Sequence, residues 1–153
     1  MNRLIEGGFV QTDGLYVTAL SGEILIQGRI ACLGEIVITV MKGIEVIEQA
    51  ADPIVQTRFY NYNASIDSYA SFLRYDNSHI HRYDNSHIHP GHHDEHHKHE
   101  IDWRTGDERS GSPWWVGREG WPTLGQFIRE VEAWYYENAQ QLPNPAGVAK
   151  ISS

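Results

Sequence analysis

"IVQTRFYNYNASIDSYASFLRYDN", residues 54–77, decides the fold. Its first half alternates Val55, Thr57, Phe59 and Asn61 against Gln56, Arg58, Tyr60 and Tyr62, a two-residue period rich in β-branched and aromatic side chains that predicts a strand. Asp67-Ser68 supplies a turn, and "SYASFLRYDN" supplies a partner strand. Working outward, "EILIQGRIACLG" from Glu23 and "EIVITVMKGIEVIEQ" repeat the pattern. Gly34 stands where a turn between them is needed, and Asp52-Pro53 breaks the second run. The expectation is an antiparallel meander of about four to five strands with one face toward a core.

Downstream, "WPTLGQFIREVEAWYYENA" changes the period. Thr123 followed three residues later by Gln126 is a capping-box arrangement with Pro122 just ahead, and it predicts a helix over Thr123 to Ala139. Leu124, Phe127, Ile128, Val131 and Trp134 or Tyr135 recur at helical spacing, so this stripe is assigned to the core, packed on the sheet. The fold class is therefore α+β: a meander packed against a C-terminal amphipathic helix, in a single domain over 1–142. Within it, 74–100 forms a His-rich loop or hairpin. The ending "PNPAGVAKISS", 143–153, has prolines and small residues without periodicity and is expected to be a flexible tail. The stretch "DWRTGDERSGSPWWVGREGW" reads as a polar loop anchored by Trp114 and Trp115.

Composition narrows the function classes. The formal charge is −8, from 12 basic and 20 acidic side chains, which opposes indiscriminate binding of polyanions. No apolar run approaches the ~20 residues that span a bilayer, so no membrane partner is expected. "MNRLIEGGFVQTDG" lacks the pattern of a signal peptide, and a cytoplasmic location is expected. Cys32 stands alone in the apolar "GRIACLG" and is read as a buried small hydrophobe.

All nine histidines lie between His79 and His99. Within this tract the octet RYDNSHIH occurs twice, as Arg74–His81 and Arg82–His89, a sign of recent duplication. Eight is a multiple of the strand period, so an extended chain would keep Tyr75, Asn77, His79, His81, Tyr83, Asn85, His87 and His89 on one face. Arg74, Asp76, Arg82 and Asp84 would share the other.

Three readings of the tract stay open. In the first, His92 with His96, or His93 with His97, have the i, i+4 spacing of a metal-binding pair on a helix, and Asp94, Glu95 and Glu100 add oxygen ligands. A specific zinc signature is lacking, and so many interchangeable imidazoles would take up adventitious Zn or Ni whatever their purpose. In the second, His92, His93, His96, His97, Lys98, His99 and Glu100 supply the general base, general acid and cation that phosphodiester transfer in RNA needs, with no cofactor required. Arg74, Arg82 and Arg104 would hold phosphate, while Tyr75 and Tyr83 would stack on bases. In the third, the tract is a solvated polar loop, and the RYDN portion merely ends a strand.

A strand ending in "FLRYDN", a polar gap, "HHKHE", and then a helix with "LGQFIREVEAWY" together resemble the TumE-like toxins of bacterial toxin–antitoxin modules. The resemblance covers roughly Glu23 to Asn138 and rests mainly on RYDN and HHKHE. It implies a small α+β toxin acting on RNA or translation, encoded beside a DNA-binding helix-turn-helix antitoxin. Its RYDN maps onto Arg74, Tyr75, Asp76 and Asn77, or equally onto Arg82, Tyr83, Asp84 and Asn85; its histidine motif maps onto His96, His97, Lys98, His99 and Glu100. Two features depart from what the resemblance implies: RYDN is duplicated, and the chain is acidic where RNA-cutting toxins present basic faces. The expected partners are therefore the antitoxin and an RNA, small or presented by the ribosome, with homo-oligomerisation a further option.

Overall fold

The computed structural model describes residues 8–47, 54–77, 96–116 and 120–151. Among the described residues, eight strands form one antiparallel sheet. They are β1 (Val10–Asp13), β2 (Tyr16–Leu20), β3 (Glu23–Cys32), β4 (Ile36–Ile47), β5 (Ile54–Ile66), β6 (Ser71–Asp76), β7 (His97–Glu100) and β8 (Trp114–Trp115), followed by helix α1 (Leu124–Asn138). The order across the sheet is β1-β3-β4-β5-β6-β7-β8, with β2 paired to the other half of the β3 edge that β1 occupies.

The architecture is the α+β meander with a C-terminal helix that the sequence predicts, but with more strands. β1 and β2 precede the first expected strand, and β7 and β8 follow the last. The turn after β3 falls at Gly34, with φ of 77° there and 58° at Glu35. A Cβ on Gly34 would come within 2.9 Å of the Tyr135 ring, so both backbone angle and space require glycine. The break expected at Asp52-Pro53 lies outside the described residues.

Alternation assigns the faces. Ile36, Ile38 and Val40 of β4 and Tyr60, Tyr62, Ala64 and Ile66 of β5 are buried, and they meet the stripe Phe127, Ile128, Val131 and Tyr135 of α1. Phe127, Ile128 and Val131 are wholly inaccessible, and each such burial stabilises the fold by about 1.5–3 kcal/mol. Trp134 stacks on Phe72 at 3.8 Å. The helix opens as its sequence dictates: the Thr123 side chain accepts from the Gln126 backbone, and the Gln126 side chain accepts from the Thr123 backbone. Cys32 is buried, and burial foremost, with Glu132 nearby, pushes its thiol up to about 12.

The segment expected as a flexible tail is packed where it is described. Ala149 is buried, Leu33 bridges to Val148, the Glu35 N–H donates to the Gly147 carbonyl, and the Tyr135 hydroxyl donates to the Pro145 carbonyl. Its lack of periodicity reflects irregular backbone docked by these contacts. Among the described residues no helix is long and apolar enough to cross a membrane.

Candidate functional site

The sheet brings RYDN and HHKHE side by side. β6 and β7 run antiparallel with Leu73 opposite Glu100, Arg74 opposite His99, Tyr75 opposite Lys98 and Asp76 opposite His97. The first copy of RYDN therefore supplies β6, and the second lies outside the described residues. Cross-strand partners share a face, so the pairing divides the motif residues in two. Tyr75, Lys98 and Glu100 point toward α1, whereas Arg74, Asp76, His97 and His99 point away from it.

On the helix side, Glu130 of α1 closes the group. Its two oxygens take the Tyr75 hydroxyl and Lys98 Nζ, each at 2.8 Å. Lys98 also lies 3.3 Å from Glu100 and 5.4 Å from the centre of the Tyr75 ring. Partial burial would lower Lys98, but the hydrogen bond and charge of Glu130 outweigh it and hold the ammonium above its usual range. Burial first, then Glu130, pushes Tyr75 up to about 12. His96 belongs to this side too, next to β7: its Nδ1 is 2.9 Å from the Tyr60 hydroxyl, and its ring stacks on Trp121 at 5.2 Å with an interplanar angle of 1°.

The opposite side carries a different cluster. The Asp76 carboxylate, with its side chain 8% exposed, sits between two imidazoles: Oδ1 is 3.6 Å from His97 Nδ1 and Oδ2 is 3.6 Å from His99 Nε2. Arg74 Nε approaches Oδ2 at 3.1 Å; the N–H is buried and off the hydrogen-bond axis, so the contact is one of charge. His99 Nδ1 faces Glu108 at 2.8 Å. Burial alone would raise Asp76. The contact with His97 and the charges of Arg74, His99 and His97 prevail, holding its carboxyl below the usual range. Asn77 ends β6 buried, its side chain accepting from the Tyr60 N–H at 2.8 Å, which fixes the strand end beside the cluster.

Several expectations are corrected by this geometry. His96, His97, Lys98, His99 and Glu100 are not one pooled site, because strand parity sends His97 and His99 to one face and the others to the face that α1 covers. Tyr75 is unsuited to stacking on a base: its ring is buried, and its hydroxyl is committed to Glu130. Arg104 stays with the helix end, where its guanidinium donates to Gln141 at 3.1 Å and covers the Trp103 ring. His92, His93, Arg82 and Tyr83 lie outside the described residues, as do the metal pairings that need His92 or His93. Among the described residues, no group of three or more His, Cys, Asp or Glu side chains is arranged to hold a metal ion.

Asp76, Glu108, Ser112 and Glu130 are the site residues that motif reading passed over as chemical actors. Glu130 follows Phe127 by one helical step, so a carboxylate flanking the apolar stripe was its signal. Asp76 carried its own signal as the one acidic residue inside RYDN. Comparisons with protein families, with characterised proteins and with solved structures find no match for this chain.

Proposed function

We propose that the chain is a toxin of the TumE-like kind that cleaves RNA without a resident metal, using the face of β6 and β7 that points away from α1. The observation that supports this reading best is the register setting Asp76 between His97 and His99 with Arg74 beside it. Asp76 engages His97 at Nδ1. In such a dyad the carboxylate fixes the tautomer and the ring, and Nε2 exchanges the proton. His97 would take the proton of a ribose 2′-hydroxyl as that oxygen attacks the adjacent phosphorus to close a 2′,3′-cyclic phosphate; the bond to the 5′-oxygen of the next nucleotide breaks, that oxygen takes a proton from water, and the proton held by His97 returns to the hydroxide so formed. The Arg74 guanidinium, itself held against Asp76, would offset the charge that gathers on the phosphate oxygens.

The test is induction in a host that lacks the partner antitoxin, reading growth and total RNA together. Arrest of growth with fragmented RNA, and cleavage of a purified transcript in the presence of chelator, are the expected results. Normal growth at high soluble expression overturns the reading, and cleavage abolished by chelator overturns its metal-independent form.

A further inference from the structure

His99 is engaged at both ring nitrogens by carboxylates from different parts of the chain. Nε2 faces Asp76 of β6 at 3.6 Å, and Nδ1 faces Glu108, in the loop after β7, at 2.8 Å. The second oxygen of Glu108 accepts from Ser112 Oγ at 2.6 Å. Ser112 Oγ in turn accepts from the backbone N–H of Glu100 at 3.0 Å, and the Arg109 N–H donates to the Glu100 carbonyl at 2.9 Å. Hydrogen bonds thus run from the β7 backbone through Ser112 and Glu108 to His99, and charge contacts at 3.6 Å carry the path on to Asp76 and across it to His97. The loop is pinned to the same residue, Glu100, from which the path starts.

We infer that Glu108 and Ser112 are positioning residues of the site: they lock the His99 ring, and His99 fixes the angle at which the Asp76 carboxylate meets His97. The inference deepens the reading above and rests on it for its kinetic consequence. An exposed ion pair would contribute little to the fold, and the Glu108 side chain is 38% exposed. Its place in this path gives it a different role. A carboxylate that sets the aim of a proton-transfer dyad acts on the rate, because misplacement of a reacting group by about 1 Å can lower a rate ~100-fold. The opposite role is that Glu108 competes with substrate phosphate for His99, and it predicts the opposite sign.

The experiment is single-turnover cleavage of a defined transcript by the full chain, with chelator present, giving a limiting rate and a half-saturating protein concentration for each variant. Glu108→Ala is expected to lower the limiting rate about 10- to 100-fold, with half-saturation within about twofold of the parent. Glu108→Gln keeps an acceptor for Nδ1 and a partner for Ser112, and should restore the rate to within a few-fold of the parent. Ser112→Ala should fall between them. Thermal melts verify that each variant is folded. A Glu108→Ala rate equal to or above that of the parent, or a Gln variant as slow as the Ala variant, overturns the inference.

A second arm is independent of activity: nitrogen-detected imidazole spectra should show the His99 Nδ1 proton protected from exchange in the parent and in Glu108→Gln, and lost in Glu108→Ala together with a shift of the His97 ring signals. Should the parent cleave no RNA, the functional reading fails by itself, and the spectra still decide the positioning. Unchanged His97 and His99 signals in Glu108→Ala overturn it.

Discussion

The two faces of the β6–β7 strand pair come from the same alternating residues, yet they are closed in different ways. On one face a helix carboxylate, Glu130, takes up both the Tyr75 hydroxyl and the Lys98 ammonium, and the rings of Tyr75 and Phe127 meet edge-on at 5.9 Å. Its charges are neutralised by a rigid element, and its task is to attach strand to helix. On the other face Asp76, Arg74, His97 and His99 hold one another, with Glu108 of a loop joined to them through His99. Its imidazoles are 20% and 13% exposed, within reach of a ligand at the rim. The proposed proton exchange is therefore assigned to the face whose titratable groups are gathered against each other and border solvent, not to the face where a helix has fixed them.

The largest expected effect comes from removing the platform that both faces share. Val131 is wholly buried between α1 and the sheet. Val131→Asp places an unpaired charge there, at a cost of several kcal/mol, and should abolish the cooperative thermal transition seen by circular dichroism. A variant that still melts cooperatively near the parent temperature would show that the helix–sheet contact is dispensable.

pH separates the faces by the sign of their linkage. Asp76 is held below its usual range, so its stabilising contribution is present above about pH 4 and is lost as pH falls through its folded value. Lys98 is held above its usual range; its contribution is fully present below about pH 10.4 and is lost as pH rises beyond. Tyr62 and Tyr75, pushed up to about 12 chiefly by burial, stay protonated in the fold where the unfolded chain ionises near pH 10, and they add to the alkaline loss. The melting temperature should therefore decline at both extremes. Glu130→Gln should soften only the alkaline decline, and Asp76→Asn only the acid one. Exchange of those two effects would mean that the faces are wrongly assigned.

A smaller change sharpens the contrast. Tyr75→Phe deletes the hydroxyl bonded to Glu130 and keeps the buried ring. It should cost about 1 kcal/mol in denaturant titration and leave RNA cleavage per folded molecule within about twofold. A loss of cleavage beyond about tenfold would bring Tyr75 back into the chemistry.

How far the sequence revealed this arrangement depended on which physical signal each part carried. β3 to β6 were legible because β-branched and aromatic residues alternate along them, and α1 because its stripe and capping box agree. β1 and β2 are short, mix polar with apolar residues and sit at the sheet edge with most side chains exposed, so burial left no pattern in them. β7, with the sequence HKHE, carries no apolar residue at all. It is a strand because its backbone is paired on both sides, with β6 and with β8, a tertiary cause that periodicity cannot reveal. RYDN and HHKHE were recognisable as chemistry, but pooling their residues ignored the parity that was already readable in His97 and His99 against Lys98 and Glu100. Glu108 and Ser112 had no local signal, since the loop that carries them is placed by tertiary contacts, among them its bonds to Glu100 and to His99.

The smallest effect concerns the second octet. Both strands of the site lie outside Arg82–His89, and removing an even number of residues keeps parity on either side. Deletion of Arg82–His89 should shift stability by no more than about 0.6 kcal/mol in denaturant titration. RNA cleavage should stay level or rise. Loss of cleavage on deletion would show that the second copy belongs to the site.

That the working face is the one turned away from the helix is tested most directly by two substitutions one residue apart on β7. His97→Gln and Lys98→Gln are to be compared for cleavage of one transcript, in chelator, per folded molecule. His97→Gln is expected to lose at least about 100-fold, while Lys98→Gln, though less stable, stays within a few-fold of the parent. A Lys98→Gln variant that is inactive beside a His97→Gln variant that cleaves normally would contradict it.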